Sequence, residues 1–248
     1  MKFISKDQFK FYWENGYLII ENFFSHEEAE YIHQALNDIA RKDFKPLLNM
    51  DRIEETLKQN PDCDPKDMKR TAKIVRETQC NPKMVSILEE LYERELQSIQ
   101  SLIVYKRKSS PYKDQAWNSH QDNSYIQNPN NLCFAVGYPL IDISPKNGGL
   151  YVYPGSNKED VLPVRQAEGI NQKIGKKPGN ACEIPSHYKK LDIFLKKGDA
   201  LIFHGNLIHG SYPNTSDASR PLFLISYLPV RETFLAGKTS NRKAIPLR

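Results

Sequence analysis

Apolar positions recur at helical spacing through the first third of the chain and fall into short β-like runs after it, so helices should precede sheet. Ser5 is a candidate N-cap for a helix carrying Phe9, Phe11, Tyr12 and Trp13, and Asn15-Gly16 ends it. Tyr17-Leu18-Ile19-Ile20 then reads as a short strand. Ser25-His26-Glu27-Glu28 has the form of a capping box, with Glu28 three residues after the N-cap Ser25, and predicts a helix to about Arg41. Residues 42–70 read as irregular and charged, broken by Pro46, Pro61 and Pro65, and so as a mobile cover or a surface excursion. Asn81-Pro82 opens a further helix through Leu88, Leu91 and Leu96.

From Gln97 the runs become β-like: Ser101-Leu102-Ile103-Val104-Tyr105, Leu132-Cys133-Phe134-Ala135-Val136, Leu150-Tyr151-Val152-Tyr153, Ala200-Leu201-Ile202-Phe203-His204 and the stretch from Pro221 to Leu228. Turn signals separate them, among them Pro129-Asn130-Asn131, Asn147-Gly148-Gly149, Pro154-Gly155 and Pro213-Asn214. Many short strands with regular turns imply an antiparallel sandwich or barrel, and a double-sheet jelly roll fits the order. The expected fold is mainly β with flanking helices: a cupin-like jelly roll over about 97–230, preceded by N-terminal helices over about 5–96. With neither internal repeat nor low-complexity linker, the 248 residues are expected to form one domain.

Composition narrows the class. A hydrophobic share of 39% and a charged share of 26% suit an ordinary globular protein. The net charge of +5 is spread along the chain rather than concentrated on one element, apart from Lys106-Arg107-Lys108 and a lysine-rich stretch near 173–197, which argues against a nucleic-acid binder. The polar opening residues resemble no secretory signal, no apolar run approaches the ~20 residues of a membrane helix, and the last residues are no peroxisomal Ser-Lys-Leu address. Cys63, Cys80, Cys133 and Cys182 form no CxxC-type pair, so reduced cysteines in a cytoplasmic protein are expected. The expected partner is a small-molecule substrate, with neither membrane nor nucleic acid, for a monomer or small homo-oligomer.

Candidate chemistry centres on Trp117-Asn118-Ser119-His120-Gln121-Asp122. On a strand, His120 and Asp122 would point to one face, with Gln121 opposite. Alone, His-x-Asp is a weak signal. His209, far downstream in Ile208-His209-Gly210-Ser211, supplies a second imidazole, and Arg220 follows it by eleven residues. Two histidines and a carboxylate on one face of a metal, with the other positions open, are the donor set of a non-heme iron(II) oxygenase. His204 competes for the third place; His209 is preferred because it starts the turn into the Arg220 strand. A catalytic zinc site also takes three protein ligands plus water, which keeps a cupin-like hydrolase or isomerase open as the alternative. The feature that favours the oxygenase is Arg220, whose guanidinium fork would suit a dicarboxylate cosubstrate chelated to the metal. A non-catalytic β-sandwich binding module has no reason to keep this set together.

These residues resemble the phytanoyl-CoA dioxygenase family, and the similarity covers most of the chain. Gln8 to Ile20 looks like the family's N-terminal helix and strand. His120-Gln121-Asp122, the stretch from Asn147 to Ser156, Lys197-Gly198-Asp199 and the stretch from Phe203 to Ser211 occur in family order. The resemblance implies a double-stranded β-helix, with Fe(II) held by His120, Asp122 and His209. It implies 2-oxoglutarate and O2 as cosubstrates, with the far carboxylate of 2-oxoglutarate on Arg220 and the hydroxyl of Ser211. Leu102 would be an apolar wall and Lys73 a second cation at the cosubstrate. Two positions depart from the family pattern. Gly137 stands where a tryptophan is frequent, leaving the pocket roomier or letting Tyr138 fill it, and Asn157 replaces the histidine usual after the Pro-Gly-Ser turn.

The activity so implied is hydroxylation of a small metabolite with release of succinate and CO2, or a desaturation or demethylation that starts in the same way. Lys106, Arg107 and Lys108, with Lys173, Lys176, Lys177, Lys189 and Lys190 in a loop over 163–190, would favour an anionic substrate by steering.

Overall fold

The structure is a computed structural model and describes residues 2–40, 46–107, 116–167 and 179–248. Its first half holds Lys6–Asn15 (α1), Tyr17–Ile20 (β1), His26–Ile39 (α2), Leu47–Leu48 (β2), Ile53–Gln59 (α3), Pro65–Gln79 (α4), Pro82–Tyr92 (α5) and Leu96–Lys106 (β3). Next come Trp117–His120 (β4), Asn123–Ile126 (α6), Phe134–Pro139 (β5), Leu150–Val152 (β6), Arg165–Ala167 (β7) and Gly179–Ala181 (β8). The chain closes with Leu191–Asp192 (β9), Ala200–His204 (β10), His209–Ser211 (β11), Arg220–Pro229 (β12) and Ile245–Pro246 (β13).

The two expected helix starts are capped by their own side chains. Ser5 accepts from the Gln8 amide while the Gln8 side chain returns to the Ser5 amide, and Ser25 and Glu28 do the same for α2. Each such cap is worth about 1 kcal/mol. The described part of 42–70 is not irregular: it holds β2, α3 and the start of α4. Asp64 caps α4, with Pro65 in its first turn, where the missing amide hydrogen is not needed. The buried stripe of α4 is Met68, Thr71, Ala72, Val75, Thr78 and Gln79, so helical spacing is present but written partly in small and polar residues. Leu96 starts β3 rather than ending a helix, because α5 stops at Tyr92 and Glu93 turns left-handed with φ 51.

Strand pairing within each sheet is antiparallel. The larger sheet has the order β1-β10-β5-β12-β3-β13, with β2 also paired to β3; the smaller has the order β4-β11-β6-β9, and β7 pairs with β8 as a ribbon. Alternation then sorts the side chains of the large sheet. Ile103, Tyr105, Phe223, Ile225, Tyr227, Val136, Tyr138 and Ile202 pack under the N-terminal helices against Tyr12, Leu36, Met68 and Leu88. The opposite face turns inward: Ala135, Leu201, Phe203 and Leu222 meet Leu150 and Val152 of the smaller sheet. This double-stranded β-helix is the fold the turn pattern predicted, and its interior carries the site.

The β3–β12 pair forms the interior floor. Its register sets Arg220 against Lys106, Leu222 against Val104, Leu224 against Leu102 and Ser226 against Gln100, all on the inward face. A bulge after Ser226 interrupts the ladder. Beyond it, Ile99 and Leu228 close the floor with Ile126 and Cys133.

Candidate active site

His120 and His209 are register partners on β4 and β11, with ring centroids 4.4 Å apart. Each imidazole is aimed by its own strand. Nδ1 of His120 lies 2.7 Å from the Asn118 carbonyl and Nδ1 of His209 2.9 Å from the Leu207 carbonyl. With Nδ1 as donor in both, each Nε2 keeps its lone pair for a metal. Those Nε2 atoms lie 3.5 and 3.7 Å from the same Asp122 oxygen. One donor atom from each of the three residues falls within 4.8 Å of the others, the only such cluster among the described residues.

Asp122 does not reach this position by strand alternation. β4 ends at His120, and Asp122 sits at helical φ −61, ψ −32 as the chain turns into α6. Gln121 points away, as expected, but into a buried brace: its amide donates to the Asp160 and Asn206 carbonyls and accepts from the Leu162 amide. Electrostatics suit a cation. Burial, with His120 beside it, pushes His209 down to about 4, so it is neutral near pH 7. Burial works to raise the Asp122 carboxyl, yet His209 and His120 together hold it below the usual carboxylate range.

The cluster opens into a cavity of 600 Å³, within the range of pockets that hold one small ligand. At one end lie Arg220 and Ser211, with Lys106 behind them. Arg220 is buried, and its Nε and Nη1 have no hydrogen-bond partner among the described residues. Burial alone brings its guanidinium down to about 9. Lys106 is also fully buried; its Nζ donates to Ser211 Oγ and to the Tyr212 carbonyl, both at 2.7 Å. Burial, and then the charge of Arg220, push the Lys106 ammonium well below its ordinary value. Two buried cations with only neutral acceptors among the described residues make a site for an anion, because an uncompensated buried charge is costly. The orphaned donors of Arg220 fit a carboxylate in particular. Leu102, Val104, Leu222, Leu224 and Phe203 wall the stretch between this end and the metal donors.

The other sequence expectations divide. Leu102 lines the cavity. Lys73 does not: it stands on α4 with a side chain 75% exposed, 3.8 Å from Glu77, and the cation beside the pocket is Lys106. Lys106 is therefore no part of a solvated steering patch, since its even position on β3 faces inward with Leu102 and Val104. Exposed Arg107 does belong to the surface. Lys190 lies outside the cavity lining, over the Tyr151 and Tyr212 rings. Arg41, Lys108, Lys173, Lys176 and Lys177 lie outside the described residues. His204 is a buried core residue whose Nδ1 accepts from the Asn206 amide. The space left by Gly137 is taken up by Leu224 and Leu222, not by Tyr138, which packs with Phe23, Phe24 and Phe223 on the helix side. Sequence reasoning missed Tyr125, Asn180, Gln100 and Arg242, all of which line the cavity beyond the metal donors.

The profile of the family described as phytanoyl-CoA dioxygenase (PhyH) matches residues 12–222. The human peroxisomal phytanoyl-CoA dioxygenase is 24% identical over 229 residues, covering 88% of this chain and 66% of its own length. The chain thus spans just under two thirds of that relative. The Arabidopsis thaliana phytanoyl-CoA dioxygenase is 27% identical, covering 88% of this chain and 86% of its own. Among solved structures, the epimerase SnoN in complex with Fe3+, alpha ketoglutarate and nogalamycin RO superposes with a TM-score of 0.71 at 13% identity, covering 92% of this chain and 85% of that one.

Proposed function

The chain belongs to the phytanoyl-CoA dioxygenase family, and on that premise we propose that it is an iron(II)- and 2-oxoglutarate-dependent oxygenase that hydroxylates a small anionic metabolite. The observation that carries this reading is the pairing of the His120, Asp122 and His209 donors with the unpartnered guanidinium of buried Arg220 at one end of the same cavity. A zinc hydrolase has use for the first feature and none for the second.

Nε2 of His120, Nε2 of His209 and a carboxylate oxygen of Asp122 would hold the metal. When bound, iron(II) with 2-oxoglutarate and O2 supplies the oxidising chemistry: substrate C–H, 2-oxoglutarate and O2 become C–OH, succinate and CO2. The chain's part is placement. Arg220 takes the far carboxylate of 2-oxoglutarate, and Ser211, held by Lys106, donates beside it. The wall of Leu102, Val104, Leu222 and Leu224 would exclude water from that end of the cavity. Asn118 and Leu207 fix the imidazole tautomers, so the donor atoms are set before the metal arrives. We assign the whole chain to one catalytic domain. We place it in the cytoplasm, a reading supported by its four free cysteines. No helix among the described residues is long and apolar enough to cross a membrane.

The test is anaerobic titration with Fe(II) and then 2-oxoglutarate, followed through the weak visible band of their chelate. The band should form with the wild type and be lost in Arg220→Ala. Intact Fe(II) binding without a band in the wild type would sink the reading.

A further inference from the structure

Beyond the metal donors the cavity has a second cationic end. Arg242 is 9% exposed and lines it. Its guanidinium is held rigidly on two sides: Nε donates to Gln100 Oε1 at 3.0 Å, and Nη1 donates to the Tyr125 and Leu235 carbonyls at 3.1 and 3.2 Å. Nη2 has no hydrogen-bond partner among the described residues, so two N–H groups remain at the cavity wall. Lys238, exposed and without an ion-pair partner among the described residues, lines the same end. Facing them are Asn180 and Tyr125, joined by a 2.6 Å hydrogen bond from the Asn180 amide to the phenol oxygen. The one carboxylate in the described lining is Asp122. Once that group is given to a metal, nothing anionic in the described lining balances Arg242.

Strand geometry places this end. Gln100, which carries Arg242, stands opposite Ser226, six residues along β12 from Arg220 on the same inward face. At the rise of a strand, that separation is about 20 Å. The floor therefore has an anion site at each end, and the metal donors lie over the leucine and valine stretch between them. The Arg220 end suits the cosubstrate, which leaves the Arg242 end for the molecule to be oxidised.

We propose that Arg242, assisted by Lys238, binds the oxyanion of the organic substrate, a carboxylate or phosphate monoester on a short carbon chain that reaches back to the metal. This assignment rests on the oxygenase reading and adds the substrate class to it. A rigid guanidinium selects for an oxyanion over a neutral isostere, because its bonds to a charged acceptor are charge-assisted and can be bidentate, whereas an amide offers one neutral carbonyl oxygen.

The experiment uses full-length protein loaded anaerobically with Fe(II) and 2-oxoglutarate, and titrates in butyrate, hexanoate and octanoate, their primary amides, and butyl and hexyl phosphate. The readouts are displacement of the chelate band and calorimetric heat. At least one acid or phosphate should bind about tenfold or more tightly than its neutral counterpart. Arg242→Gln should keep the chelate band and bind that anion about tenfold more weakly, while Lys238→Gln should weaken it by about threefold. Lys238 is exposed and holds no side-chain hydrogen bond among the described residues, so its replacement spares the fold if Arg242→Gln does not. Preference for carboxylates over phosphates, or the reverse, fixes the source of the oxyanion. The proposal is overturned if amides bind as well as acids, if no anion binds, or if both variants bind as the wild type does. Absence of the chelate band in the wild type would instead strike the oxygenase reading.

Discussion

Lys106 and Arg220 face each other across β3 and β12, both buried, and neither has a carboxylate partner among the described residues. A protein does not keep two cations so placed for stability, since each is costly to bury unpaired. The pair is organised for an anion that arrives.

Arrival should carry a proton signature. Without ligand, burial and Arg220 hold Lys106 well below its ordinary value; a carboxylate beside it raises that value again. Binding of 2-oxoglutarate then favours protonated Lys106, so its affinity is highest on the acid side of the lowered value and falls as pH rises through it. Lys106→Met should weaken 2-oxoglutarate about tenfold and flatten that slope, both read from the chelate band across pH. The ligand-free wild type behaves oppositely. Its unfolded chain binds the lysine proton more tightly, so its thermal midpoint gains with rising pH in the same window, and the variant should not.

Acid should loosen the ligand-free protein in a defined range. His209 and His204 are both pushed from 6.5 to about 4, chiefly by burial. Between those values the unfolded chain takes up protons that the native state refuses, so stability is intact above 6.5 and is lost as pH falls toward 4. Each histidine accounts for at most about 3 kcal/mol. Thermal melts over this range should show the loss, and His209→Gln should remove its own share and leave that of His204.

Gly137 is filled from across the sheet. A Cβ there would stand 3.2 Å from Leu224 Cδ2 and 3.6 Å from Leu222 Cδ1. Gly137→Trp, which restores the residue frequent in the family, should therefore overpack the floor and cost about 1–3 kcal/mol in denaturant unfolding. Adding Leu224→Ala should recover most of that loss. A tryptophan tolerated without the second change would show that the leucines do not occupy the space.

Gly210 permits the close approach of β11 to β4. A Cβ there would collide with the Tyr151 hydroxyl and lie 2.7 Å from the Trp117 carbonyl, which is backbone and cannot swing aside. Gly210→Ala should push β11 outward beside His209 and weaken Fe(II) binding by about tenfold, the scale of losses when a ligand's support is disturbed. Competition with a coloured chelator measures it.

Much of this was legible in the chain because the deciding interactions are local. The Ser5 and Ser25 caps close within four residues, and the β3 and β12 runs are continuous apolar stretches bounded by polar and turn residues. His120, His209 and Arg220 lie at strand ends marked by turn residues. What was hidden depends on distant partners. α4 buries Thr71, Ala72 and Thr78, which score as polar or small until the helices above them are known. Lys106 reads as part of a basic surface triplet, although its even spacing from Leu102 and Val104 already pointed it inward. Arg242 sits in a tail without periodicity, and only Gln100 and the Tyr125 carbonyl, more than a hundred residues away, reveal it as cavity lining.

The β3–β12 floor also acts as a gauge. The spacing between its two cationic ends is counted in backbone steps, and trimming or enlarging a side chain cannot alter that count. The bulge after Ser226 sets where the count stops. Related proteins that accept longer or shorter molecules would change length here by gaining, losing or moving a bulge, and point substitutions along the wall would tune grip without moving the stops.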